Sequence, residues 1–436
     1  MKMWDARGVM RAWPGWRPGI GLAMLALCGA GGIHAEAILE WTGNASSSWD
    51  LGGSLNWRAG TVPAAFTNGA SVLFSDGAAG SGSIRLADAL EPASVTVSNR
   101  VKAYRLDGPG YVRGSATWTK LGPGHLAVAP GTMFATSSNF GLGGGLTIIE
   151  GSLLRTNFVG GELWIGHRPE SPAALILTNA IVRVSSWVAV GRGNGTAGHA
   201  SRAALHDSTL LCNNAALGYW ANIAGNLQSP TLTLEGASRL VNTGGIGFNL
   251  SESSGSSSTV AIRDASWIYS ASRVLLGMQP GATGALVIAG SGAMTNGGYA
   301  SVGAAGVGHA TLKDSAVWQS LGDFNVADTE GSQGTLEILD SAFLHIDTLY
   351  VGKAPHSTGT VFQSGGTVLR NAGGDWRIGG NARGGANQVG IYDLSNGVFN
   401  TSGANLQVGA YGTGYFNQSG GTAAVSAWPS IGRFAG

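Results

Sequence analysis

The chain has 436 residues, of which 73 are Gly and only 49 are Asp, Glu, Lys or Arg. The glycines keep no three-residue period, which excludes collagen, and a 44% hydrophobic share supplies enough apolar surface to exclude a disordered chain. Formal charge is +1, and beyond residue 35 there are 21 basic against 23 acidic residues, so no nucleic-acid partner is expected.

The amino terminus reads as an export signal. Lys2, Arg7, Arg11 and Arg17 precede an apolar run, Ile20 to Ile33, and small residues stand at Ala35 and Ala37. A transmembrane helix needs about 20 apolar residues, and this run has 14 with four glycines among them. Cys28 follows Leu27 where a lipidation motif wants a small residue. With residues 1–35 taken as a signal peptide, Cys212 is the only cysteine left and no intramolecular disulfide can form. The mature chain is expected to be secreted or held at the cell surface, with no membrane span.

Residues 36–135 form a β-rich region outside the later repeat. They carry Trp41-Thr42-Gly43-Asn44, Ser48-Trp49-Asp50, Leu55-Asn56-Trp57, Val62-Pro63 and Ser71-Val72-Leu73-Phe74. Lys120-Leu121-Gly122-Pro123-Gly124-His125-Leu126 follows. At these residues the chain resembles bacterial proteins with autotransporter-associated β-strand repeats, whose T-K-x-G-x-G-x-L strand it matches with His125 in place of the more usual Thr. The resemblance implies an exported, β-helical, passenger-like chain and transfers no catalytic residue. Neither a C-terminal run of alternating membrane strands nor a terminal anchor helix is seen, and the chain stops just after a repeat Gly. The expectation for that end is a fragment of a longer protein, or an edge that a partner covers.

From residue 136 onward an apolar strand ending in Gly recurs: LWIG at Gly166, VAVG at Gly191, AALG at Gly218, GGIG at Gly247, VLLG at Gly277, ASVG at Gly303, FNVA at Ala327, LYVG at Gly352, WRIG at Gly379, LQVG at Gly409 and PSIG at Gly432. Eleven copies with a mean step of 26.6 residues are a structural repeat. Each holds three short period-2 strands with a polar corner after the first, at Asn179, Asp207, Gly236, Asp264, Gly290, Asp314, Asp340, Ser364 and Asn396. One such ring cannot bury its own apolar face, but stacked rings bury one another. The expected fold is all-β: a right-handed parallel β-helix of about 10–11 rungs of roughly 27 residues over 136–436. Propeller blades need about 40 residues, and the Leu/Asn ladder of leucine-rich repeats is absent. Loop length varies between the repeat Gly and the next first strand, as at Arg192 to Arg202, Tyr219 to Pro230 and Phe248 to Ser258, so contacts are expected on that edge.

Chemistry-bearing residues are sparse. Asp314 and Asp340 occupy neighbouring corners and are the first suspects for an acid pair, although their column companions are turn formers. His167, His199, His309 and His356 read as residues of the variable loops. The tryptophans Trp267 and Trp318 lie in strands, whereas Trp220, beside Tyr219 in a long loop, is the candidate platform for a sugar ring. The strings of pectin-cleaving β-helices, the calcium nonapeptide and the phosphate loop are all missing. No metal or cofactor is expected. The leading expectation is an exported, non-enzymatic scaffold or adhesin meeting an extracellular glycan or cell-surface partner. The alternative is a carbohydrate-active β-helix, either a lyase or hydrolase using Asp314 and Asp340 or a glycan-binding module using Tyr219 and Trp220.

Overall fold

The computed structural model describes residues 38–432, except 152–155, 169–170, 194–199, 219–227 and 382–385. The proposed signal segment lies outside the described residues. The described chain contains only strands, and no helix in it is long and apolar enough to cross a membrane. It is a β-solenoid of about 13 turns with about 26 residues per turn.

One turn shows how the sequence produces this. Gln333–Ile338, Phe343–Ile346 and Leu349–Val351 are its first, second and third strands. Alternation turns Leu336, Ile338, Leu344, Ile346, Leu349 and Val351 into the interior, where none is more than 1% exposed. Each strand pairs in parallel with its counterpart one turn on, so Leu336 stands on Ala310 and under Val361, and apolar side chains stack in continuous columns. The first-strand ladder runs from Ser48–Trp49 to Thr413–Gln418 and the third from Leu39–Trp41 to Pro429–Ile431.

The solenoid starts earlier than the repeat. Met133–Thr136 straddles the 135/136 boundary and pairs in parallel with Tyr111–Gly114 on one side and with the Thr156–Val159 strand on the other. Residues 71–135 are therefore ordinary turns whose spacing is shorter, Leu39–Trp41 and Ser48–Trp49 already pair in parallel with Ser71–Ser75 and Ser83–Leu86, and only the hairpin at 57–64 departs from the pattern. There Trp57–Ala59 and Val62–Ala64 form an antiparallel hairpin against Leu39–Trp41. Trp41, Trp49, Trp57, Phe66 and Phe74 fill the end of the core, with Trp41 and Trp57 edge-to-face at 5.0 Å and Trp49 and Phe66 at 5.3 Å. Lys120 of the TKxGxG segment is fully buried, and its Nζ donates to the carbonyl oxygens of Leu121 (2.9 Å), Gly122 (2.8 Å) and Gly144 (3.3 Å). It satisfies corner carbonyls that the strands leave over, while burial pushes its pKa down to about 8.

Three details of the repeat differ from its sequence reading. The copy written as GGIG is out of register: the third strand is Phe248–Leu250, which pairs Leu250 with Leu217, so Ser251 and not Gly247 stands in the Gly column. The corner residues Ser364 and Asn396 lie inside the continuous strands Thr358–Arg370 and Val389–Asn400, and the left-handed residues there are Gly366 and Gly397. His309 sits within the first strand Val307–Leu312 and not in a loop.

The Gly column follows from two constraints acting together. Gly352 has φ +66°, and a Cβ on it would lie 2.0 Å from the carbonyl oxygen of Val389. The exceptions Ser251 (φ 57°) and Ala327 (φ 65°) hold the same left-handed backbone with a side chain. Gly352→Ala is expected to cost about 2–4 kcal/mol in denaturant unfolding, from αL strain plus the backbone clash, whereas Ala327→Gly changes stability by less than about 1 kcal/mol.

Candidate functional site

The corner aspartates were the first suspects, and the structure shows what their carboxylates touch. Asp264, Asp314 and Asp340 all have left-handed backbones, with φ of 56°, 61° and 53°. Each reaches back one turn: the Asp314 N–H donates to Asp340 Oδ2 at 3.0 Å, the Gly290 N–H to Asp314 Oδ2 at 2.9 Å, and the Gly236 N–H to Asp264 Oδ2 at 2.9 Å. The carboxylates thus bind corner amides that the adjacent strands leave unpaired. Asp314 and Asp340 do stand on neighbouring turns, as their spacing requires, but they face the backbone and not a cleft. Tyr219, Trp220 and His199 lie outside the described residues. Trp318 is fully buried and donates from Nε1 to Asn296 Oδ1 at 2.8 Å; Trp267 faces out beside Arg239. Among the described residues, no group of three or more His, Cys, Asp or Glu side chains is placed to hold a metal ion.

Several polar groups gather on the side of the third strands that faces away from the core, where most of the residues are nevertheless buried. Each of these strands has two inward residues flanking one outward residue, and in-register pairing stacks the outward ones in a column: Trp164, Ala189, Ala216, Asn249, Leu275, Ser301, Asn325, Tyr350, Arg377 and Gln407. Successive members are about 4.8 Å apart. The sequence signal was present, because these are the second letters of the recurring tetrapeptides. Only the turn-by-turn pairing shows that unlike letters from distant repeats become neighbours.

Two clusters occupy the column. Near its start, the Arg192 guanidinium lies 4.1 Å from the Trp164 ring centroid and 3.7 Å from Glu162, while His167 packs on the same indole at 5.7 Å. Further along, Asn325, Tyr350 and Arg377 stack on three consecutive turns. Lys353 Nζ lies 5.2 Å and the Arg377 guanidinium 5.9 Å from the Tyr350 ring centroid. Lys353 also bonds Asp328 Oδ1 at 2.7 Å, and Asp328 Oδ2 accepts from Ser301 Oγ at 2.6 Å. Arg377 Nε donates to Gln407 Oε1 at 3.1 Å, and Gln407 Nε2 donates to Asp375 Oδ2 at 2.7 Å. The ring of Tyr350 is half-buried; burial, then the charge of Asp323, raises its phenol pKa, so it stays protonated.

Between the clusters sits an ionisable group that the sequence reading passed over. Glu252 is 7% exposed beside Asn249 and feels the charge of Arg273. Burial dominates and raises its pKa to about 7. The chain is thus a β-solenoid whose third face carries two polar clusters, while Glu235 with His206 and Arg263 forms another at the ends of the first strands. No family model, no curated protein and no solved structure matches it.

Asp314→Ala together with Asp340→Ala should lower unfolding stability by about 1–3 kcal/mol, through lost amide acceptors and alanines forced into the left-handed region. Denaturant titration checks this, and an unchanged midpoint would contradict the capping role. Glu252 takes up a proton more readily folded than unfolded. Its contribution to stability is therefore complete below pH about 4.5 and disappears as pH rises through about 7. Glu252→Gln should remove that component, so that melting temperatures of variant and wild type diverge in the variant's favour between pH 5 and pH 8.

Proposed function

We propose that this protein is an exported, non-enzymatic β-solenoid that works outside the cell or at its surface as a scaffold or adhesin. The observation that carries the reading is how its polar side chains are used. The corner carboxylates fasten one turn to the next, Lys120 holds corner carbonyls, and the polar groups remaining on the third face form a stripe along the ladder. A regular body whose polar groups are spent on fastening turn to turn suits attachment more than turnover of a substrate. The basic-then-apolar amino terminus and the resemblance of residues 41–126 to autotransporter-associated repeats support the same placement.

Two measurements test the reading. Residues 1–35 fused to a reporter that matures only after export should give reporter activity outside the cytoplasm, and an intracellular reporter would remove the export half. Beads coated with the chain from residue 36 should adhere to polysaccharide-bearing cell surfaces above the level of uncoated beads. Depolymerisation of a polysaccharide by the purified chain, lost in the Asp314→Ala/Asp340→Ala variant with folding intact, would favour the carbohydrate-cleaving alternative instead.

A further inference from the structure

We infer that the cleft between Arg100 and Arg168, at the corners that follow the third strands, is a binding site for a carboxylate-bearing saccharide, a uronate unit. The inference names a partner for the attachment role proposed above and rests on it. The cleft has a volume of about 670 Å³ and is lined mainly by Ser98, Arg100, Leu121, Pro123, Arg168 and Ser171. These residues come from four successive turns, because Ser94–Ser98, Thr117–Leu121, Phe140–Leu142 and Leu163–Ile165 pair in register. Its two ends are therefore three turn spacings, about 14 Å, apart. Arg100 stands at one end. Arg168 comes from the other and leans back over Gly143, where a Cβ would lie 2.7 Å from its Cγ. Glycine at that point leaves the floor of the cleft open.

The polar groups that line the cleft are open to a ligand. Arg100 and Arg168 are exposed, and among the described residues neither guanidinium has a hydrogen bond or an ion pair. By contrast, Arg58, Arg105, Arg113, Arg192 and Arg263 each pair with a Glu. The hydroxyls of Ser98 and Ser171 also have no hydrogen bond among the described residues. Asp76, the acid whose charge reaches Arg100, already accepts from the N–H groups of Arg100 (2.8 Å), Val101 (3.1 Å) and Lys102 (2.8 Å). Beneath the floor the buried Lys120 ammonium donates to the carbonyls of Leu121 and Gly122 and adds positive charge. The cleft therefore calls for an anion, and the guanidinium fork matches a carboxylate. The two serine hydroxyls suit sugar hydroxyls, while Leu121 and Pro123 give an apolar wall for the C–H face of the ring. An acidic peptide is disfavoured, because Ser94–Ser98, Thr117–Leu121 and Phe140–Leu142 are each paired on both sides and leave no ladder edge. A nucleic acid is disfavoured as well, since no aromatic side chain lines the cleft to stack a base.

Native gels cast with polygalacturonate, alginate or hyaluronate, and separately with neutral dextran or dextran sulfate, test the inference on the purified chain. The wild type should be retarded in at least one uronate gel, and less in both dextran gels. Arg100→Gln and Arg168→Gln should each weaken apparent affinity for that uronate about tenfold, whereas Arg263→Gln, far from the cleft, should stay within about twofold. Circular dichroism and melting curves confirm that each variant is folded, and either cleft variant serves if the other is not. Absence of retardation in every uronate gel, retardation in a dextran gel as strong as in the uronate gels, or full retention by both cleft variants would overturn the site. Wild-type bead adhesion persisting while every uronate gel fails would reject the site alone, whereas uronate retardation without bead adhesion would reject the adhesin reading and leave the site standing.

Discussion

Everything in this molecule depends on the in-register parallel ladder. Because each strand pairs with its counterpart one turn on, a residue's neighbours above and below are those at the equivalent repeat position, about 4.8 Å away. A single short turn has almost no interior. Stacking turns on one another makes the core, which is why Leu336, Ala310 and Val361 share a column although about 25 residues separate each from the next. The same rule governs polar groups: a corner Asp acts on the amide of the preceding turn, and an Asn acts with the Tyr and Arg placed over it.

The ladder also explains the unusual composition. A turn of about 26 residues must change direction three times, and the tightest change, after the third strand, brings two backbones into contact. Gly352 there has no room for a Cβ beneath the Val389 carbonyl, and Gly359 and Gly390 of the following turns press against the same corner. Low charge follows as well, because a side chain in the interior stacks on its own kind, and a charged column would bring like charges within about 5 Å in a medium of low dielectric. Lys120 escapes this only because its column neighbours are not charged and three carbonyl oxygens receive its ammonium group.

The polar stripe obeys the opposite logic. On the outward column of the third face, unlike residues are favourable neighbours: Asn325 bonds Ser301 of the turn before, and Arg377 bonds Gln407 of the turn after. Ala189 and Ala216, the second and third members of the column, are small and buried and lie between the Trp164 cluster and the Tyr350 cluster. The solenoid therefore carries two distinct polar clusters on one face, centred on the strand residues Trp164 and Tyr350 and completed by residues of the adjoining corners.

Much of this was legible in the amino-acid sequence. The Gly-terminated tetrapeptides define the turn length, alternation within Leu349-Tyr350-Val351 defines which residues face in, and Asn, Asp and Gly at the corners define where the backbone becomes left-handed. The tetrapeptide pattern failed at Gly247, because an extra Gly-Gly-Ile-Gly string imitated the motif four residues ahead of the true strand, and only pairing with Ala215 and Leu217 places Phe248–Leu250. It also missed the continuity through residue 135, since the early turns keep the period-2 pattern but not the Gly signature. The sequence by itself determined a stack of three-stranded turns with an apolar interior, because that follows from local periodicity. Tertiary structure decided which outward residues meet, bringing Asp323, Asn325, Tyr350 and Arg377 together and turning Asp314 and Asp340 onto backbone amides, because contact between turns is set by register over two dozen residues and leaves no trace in local order.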